Sequence, residues 1–232
     1  MTAPSLSTPG GRSAGWLGRF YESTIGRKIV MAVTGLILVG FLVVHMAGNL
    51  LVYRGAEAIN GYAEFLKSNL VLLWGARITL LGAVVLHAHA ALTLARRARA
   101  ARPAGYQSLT RQVSSWSARL MRWGGILLVV FIVLHLLHFT TGQVLPSRFV
   151  GGEVYQNVVR SFRSGWVVAF YLVAMAAVGL HLHHGLWSMF QTLGANHPHW
   201  ARPRRVVAWF LSFALTVGFV SVPLAVFLGW VG

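Results

Sequence analysis

The chain has 232 residues, 56% of them hydrophobic and only 10% charged. Soluble domains carry about 25% charged residues, so this composition excludes a disordered chain and argues against an ordinary soluble globule. The balance of 20 Lys and Arg against 4 acids, all of them Glu, gives a formal charge of +16; the bases lie between apolar runs, which indicates a membrane protein facing anionic lipid and not a nucleic-acid partner.

In chain order, the opening MTAPSLSTPGGRSAG is rich in Gly, Ser, Thr and Pro and reads as a flexible tail. Trp16, Phe20 and Tyr21 then precede Arg27 and Lys28, a mixture that suits a segment lying in the membrane interface or docked on a partner protein. Residues 1–28 are thus expected to be tail and interfacial segment, and 29–231 a single transmembrane domain. Five apolar stretches follow, at 29–53, 71–95, 120–141, 166–190 and 206–231. A helix needs about 20 residues to cross about 30 Å of hydrocarbon, and backbone in lipid must satisfy its own hydrogen bonds. The expected fold is therefore an all-α integral membrane protein, a five-transmembrane-helix bundle. The first stretch is too long for a signal h-region, and no small-residue cleavage motif follows it. There is no convincing internal repeat, Gly-rich phosphate loop, carboxylate pair or zinc signature.

The loops predict the topology. Arg12, Arg19, Arg27, Lys28, Arg96, Arg97, Arg99, Arg102, Arg111, Arg119, Arg122, Arg202, Arg204 and Arg205 share one side with Glu22. Arg54, Lys67, Arg148, Arg160 and Arg163 share the other with Glu57, Glu64 and Glu153, while Arg77 falls inside the second span. The positive-inside rule places the N-terminus in the cytoplasm and the C-terminus outside.

The histidines carry the chemistry. His45, His87, His89, His135, His138, His181, His183 and His184 fall inside spans, and only His197 and His199 in a loop. Polar side chains at membrane depth are costly and tend to mark function. A single one of them is as well explained by a hydrogen bond between helices; four spans each carrying one are not. His45 lies 16 residues into the first span and His135 lies 15 into the third, roughly 23 Å from the cytoplasmic edge at 1.5 Å per residue. His87 and His181 lie equally far along the second and fourth spans, which run the opposite way. The outcome is two histidine pairs at two depths, each from two parallel helices. Imidazole is an axial ligand of haem iron, so each pair suits a bis-histidine b-type haem and favours electron transfer over oxygen chemistry. The chain has no cysteine, which excludes c-type attachment, Cys-ligated iron–sulfur centres and disulfides. His87 and His89 cannot share a helix face, whereas His135 with His138 and His181 with His184 do; the second member of each pair could bind a haem carboxylate or a quinone, or be a satisfied neighbour. Gly35, Gly40, Gly48, Gly82, Gly124, Gly125 and Gly179 offer clearance for a planar ring, or ordinary helix packing. The fifth span has no histidine and is expected to pack the bundle or cover a haem edge.

The stretches TIGRKIVMAVTGLILVGFLVVHMAGNL, GAEAINGYAEFL, VVLHAHAALTLARRARAARPAGY, RWGGILLVVFIVLHLLHF and GLHLHHGLWSMFQTLGANHP resemble the cytochrome b membrane-anchor subunit of succinate dehydrogenase (succinate:quinone oxidoreductase), in its single-chain, five-helix, di-haem form. The resemblance covers nearly the whole chain from about Gly15. It implies that His45 and His135 ligate an outer haem and that His87 and His181 ligate an inner one; His138 and His184 stand as candidate cofactor-binding residues from their shared helix faces alone. The resemblance further implies a flavoprotein subunit with FAD, an iron–sulfur subunit that docks on the basic face, and a quinone acceptor, menaquinone in this form, reduced at this subunit. The chain itself would carry out no chemistry on succinate. Glu57, Asn60 and Glu64 are the candidates for a quinone and proton site, with loop solvation as the plainer role for the acids; Asn49 and Trp74 qualify by depth only. Some relatives carry a Glu two residues before the fourth-span histidine; here that position is Gly179, which disfavours a proton path there and favours succinate oxidation over fumarate reduction. The implied location is a bacterial cytoplasmic membrane, in a complex that can form dimers or trimers. Two alternatives compete: the membrane cytochrome b of a formate dehydrogenase or hydrogenase, distinguished by its neighbouring genes, and a transporter with a histidine proton relay, which would be colourless.

Overall fold

A computed structural model of the chain describes residues 15–101, 116–195 and 197–232. The expected tail up to residue 14 and much of the basic segment after 101 lie outside the described residues. Eight α-helices are present among them: α1 Trp16–Glu22, α2 Thr24–Leu50, α3 Ala56–Ser68, α4 Leu70–Ala100, α5 Trp116–Phe139, α6 Val154–Phe162, α7 Gly165–Thr192 and α8 Ala201–Phe227. Five of them, α2, α4, α5, α7 and α8, are long and apolar enough to cross a membrane, which makes this a multi-pass, all-α membrane protein.

The spans start and stop where local chemistry dictates. The first begins at Thr24, earlier than the expected residue 29, because Ser23 caps it: the Ser23 hydroxyl accepts the Gly26 N–H at 2.8 Å and donates to the Phe20 carbonyl at 2.7 Å. Gly26 is required at this α1–α2 corner, since a Cβ there would overlap the Phe20 carbonyl. Arg27 is buried within this first turn, its guanidinium 5.6 Å from the Tyr21 ring. Asn69 caps α4 by accepting the Leu72 N–H at 2.9 Å. At its other end α4 continues through Arg96, Arg97 and Arg99 to Ala100, where cations complement the helix C-terminus. In α8, Pro203 falls in the first turn, where a missing N–H costs nothing.

The packing is uneven. α7 is the central helix; it packs along α5 on one side and α8 on the other. Val167, Tyr171, Ala174, Val178 and Leu182 of α7 are buried with Ala208, Leu215 and Val222 of α8. α2 packs chiefly on α4 and more lightly on α7 and α8, and α4 packs extensively on α2 alone. The bundle is thus a pair, α2 with α4, set against a trio, α5 with α7 and α8. At α7–α8 the close approach occurs at Gly179, where a Cβ would press on the Thr216 side chain; Thr216 is itself tied to the Ser212 carbonyl at 2.7 Å. Gly179→Val is expected to destabilise the fold by roughly 1–3 kcal/mol through overpacking, seen as a lower thermal midpoint of the detergent-solubilised protein.

Alternating helix directions bring the start of α2, the end of α4 and the start of α8 to one end, where α1 docks. Tyr21 Oη meets His89 Nδ1 at 2.5 Å, and Arg97 donates to the Glu22 carbonyl at 2.7 Å. The opposite end is closed by α3 and α6. Asn60 Oδ1 accepts the Tyr155 N–H at 3.0 Å at the start of α6. Val158, Val159 and Phe162 of α6 are buried against the bundle.

Candidate functional site

The site lies where the pair faces the trio. Nearer the α1 end, α4 presents His87 and α7 presents His181, with ring centroids 6.2 Å apart at 56°. Nearer the α6 end, α2 presents His45 and α5 presents His135, with centroids 5.8 Å apart at 83°. The two expected pairings are therefore brought together at two levels. The separation of the levels follows from helix pitch. Gly35 lies beside His87, and ten residues later in α2 comes His45; Gly125 lies beside His181, and ten residues later in α5 comes His135. Ten residues rise about 15 Å. The same Gly–His spacing thus recurs in α2 and α5, and in each case the glycine serves the histidine of another helix.

The rings at the α1-end level are supported unequally. His87 Nδ1 lies 3.0 Å from the Met31 carbonyl and 3.2 Å from Thr34 Oγ1. Only an N–H can donate to the carbonyl, so in the neutral ring the lone pair is on Nε2. Thr34 is in turn held by its hydroxyl bond to the Val30 carbonyl at 2.7 Å. His181 Nδ1 is buried with no hydrogen-bond partner among the described residues, an orphan polar atom at membrane depth. Beside it a cavity of about 300 Å³ runs between α5 and α7, lined by Leu120, Met121, Trp123, Gly124, Val173 and others.

At the α6-end level aromatic rings surround the pair. His45 stacks on Phe41 at 5.1 Å and approaches Phe219 at 5.8 Å. His135 stacks on Phe131 at 5.5 Å and borders Phe139 and Tyr171. Asn49 donates to the His45 carbonyl at 2.7 Å.

The remaining histidines have other neighbours. His89 points to Tyr21 of α1 and not to His181, which separates it from His87. His183 is exposed and His184 half-buried. His138 is buried, and both its ring nitrogens are engaged, Nδ1 with Tyr171 Oη and Nε2 with Ser161 Oγ, each at 3.0 Å. Gly48 and Gly179 serve helix packing, meeting Tyr62 and Thr216. Glu57 and Glu64 lie exposed on α3, while the Asn60 carbonyl oxygen is committed to α6. Sequence reasoning missed Tyr171, Thr34 and Ser161, because side chains of these types are common in membrane helices and only the distances single them out. Among the described residues no three or more His, Asp or Glu side chains are grouped so as to hold a single metal ion.

No protein-family model matches the chain, and no solved structure matches it. Among curated proteins, the chain is similar to the succinate dehydrogenase cytochrome b558 subunit of Bacillus subtilis (strain 168). The identity is 29% over 162 residues, covering 69% of this chain and 75% of that protein. The similarity is distant, and a bundle of five spans is consistent with a membrane-anchor subunit.

Proposed function

We propose that this chain is the membrane-anchoring electron-transfer subunit of a succinate dehydrogenase, with one b-type haem held by His45 and His135 and a second by His87 and His181. The observation that carries this function is the pair of facing histidine couples, with centroids 5.8 and 6.2 Å apart, contributed by opposite halves of the bundle. At these separations each couple would be able to hold one metal ion between its two imidazoles, and imidazole is a standard axial ligand of haem iron. The orphan nitrogen of His181 and the sparse packing between α4 and the trio fit an added group as well. The similarity to a cytochrome b558 subunit supports the same conclusion.

The chain's own residues hold, orient and shield. The Met31 carbonyl fixes the His87 ring so that Nε2 keeps its lone pair for a metal. Gly35 and Gly125 leave room for the His87 and His181 rings. Phe41, Phe131 and Phe219 keep water from the His45 and His135 rings. When bound, a haem with two histidine ligands supplies one-electron transfer rather than oxygen chemistry. Oxidation of succinate belongs to a flavoprotein partner with FAD, which passes electrons to an iron–sulfur subunit docked on the α1 end; the acceptor is a quinone, menaquinone on the family resemblance. On this reading Glu57 and Glu64, exposed on α3, would exchange quinone protons, and half-buried His184 would bind a haem carboxylate. The basic α1 end faces the cytoplasm of a bacterium.

The test is haem stoichiometry of the purified complex together with a succinate-reduced minus oxidised spectrum. The expected result is two b haems per chain, at least one of them reduced by succinate. An intact, active complex without haem overturns the proposal. Two haems that succinate cannot reduce, with the partner subunits attached, move the assignment to a formate dehydrogenase or hydrogenase cytochrome b.

A further inference from the structure

We infer that Tyr171 is a positioning residue for His135, acting as the middle of a buried hydrogen-bond chain that runs from His135 through Tyr171 and His138 to Ser161. This rests on the assignment of His135 as a haem ligand. The chain joins α5, α7 and α6. His135 Nδ1 lies 3.3 Å from Tyr171 Oη, Tyr171 Oη lies 3.0 Å from His138 Nδ1, and His138 Nε2 lies 3.0 Å from Ser161 Oγ. Tyr171, His138 and Ser161 are 7%, 6% and 2% exposed, so bulk solvent does not compete for these bonds.

If His135 held a metal through Nε2, one proton order would make all three bonds and also use the tyrosine hydrogen. His135 Nδ1 then carries hydrogen and donates to Tyr171 Oη. Tyr171 has a single hydroxyl hydrogen, and His138 Nδ1 receives it. His138 must then carry its hydrogen on Nε2, which donates to Ser161 Oγ. Each bond fixes the tautomer of the next ring, and the chain ends on a helix outside the spans.

Such a chain sets how strongly His135 donates electrons. An acceptor on the far nitrogen of a ligating imidazole raises its basicity, which stabilises the oxidised metal over the reduced one. The other level is built differently: His87 uses a backbone carbonyl, and His181 Nδ1 has no partner among the described residues. Tyr171 therefore acts on one of the two redox centres.

The experiment is a redox titration of the whole complex, each haem identified beforehand by its disappearance in His135→Ala or His181→Ala. In Tyr171→Phe both haems are retained. At a fixed potential the reduced-to-oxidised ratio of the His135 haem rises about three- to tenfold, a tenfold change being about 59 mV for one electron. The low-spin resonance of that haem shifts too, and the His181 haem titrates as in the wild type. Ser161→Ala shifts the same haem in the same direction by less. A purely structural Tyr171 would lower thermal stability without moving either potential, and two retained haems with unchanged potentials overturn the inference. If Tyr171→Phe loses the haem outright, Ser161→Ala decides: a shift confined to the His135 haem supports the inference, and no shift overturns it. Absence of that haem from the wild-type complex refutes the ligand assignment itself, a failure distinct from an unmoved potential.

Discussion

His181→Ala is expected, on the proposed function, to lower the haem content of the purified complex to about half the wild-type value, because one of the two ligands proposed for that haem would be gone. The same loss is expected for His87→Ala, and the spectral component that disappears should be the same in both. His45→Ala and His135→Ala should instead remove the other component. The prediction is sharp because α7 carries three histidines within four residues. His183 is exposed and His184 half-buried, whereas His181 faces His87 at 6.2 Å. His183→Ala and His184→Ala should therefore keep both haems. So should His89→Ala, whose ring is turned to Tyr21. A pyridine haemochrome assay of total haem on each variant, with a reduced-minus-oxidised spectrum of the intact complex to tell the two components apart, checks the whole set. Equal haem loss in His183→Ala and His181→Ala would sink the assignment.

Gly35→Val is expected to reproduce the His87 phenotype without touching a histidine. A Cβ at position 35 would stand 3.3 Å from His87 Cε1, already tighter than ordinary contact. The added side chain crowds the ring, and overpacking of this kind costs roughly 1–3 kcal/mol. His87 cannot retreat easily, because its Nδ1 is held by the Met31 carbonyl of the same helix that carries Gly35. The variant should lose the His87–His181 component and keep the His45–His135 component. Gly40→Val is the matched control, since position 40 is exposed and nothing lies within 4 Å of its added Cβ. Retention of both haems in Gly35→Val would show that the ring has more freedom than its neighbours suggest.

The spans and histidine levels were readable in the chain because membrane solvation imposes a one-dimensional rule. Apolar length marks each crossing, and position along a crossing converts to depth at a constant rise. The facing of His45 with His135 and of His87 with His181 needs little more than that arithmetic. What escaped depends on contacts between distant residues. The first span was begun at residue 29 because Arg27 and Lys28 read as a flank; the fold admits Arg27 to the helix by placing it against Tyr21. The segment holding Glu57, Asn60 and Glu64 read as a solvated connection, yet it is helix α3, and Asn60 is spent on anchoring α6. The resemblance singles out His87, but the contact that sets His89 apart, with Tyr21 from 68 residues away, lies only in the fold. Tyr171 carries no signal of its own, since its role exists only where α5, α6 and α7 meet.

The uneven packing has a consequence for how the protein matures. α4 leans extensively on α2 alone, and no other long helix braces it to a comparable degree among the described residues. On the proposed function, its His87 is one of two ligands of a shared centre. Loading that centre would then be the step that fastens α4 to the far half of the bundle, so cofactor affinity and fold stability become one quantity. An unfilled chain would keep a loose wall, and that looseness is what membrane quality control can recognise. Supply of the cofactor would thereby govern how much of the protein accumulates, even where its synthesis is unchanged.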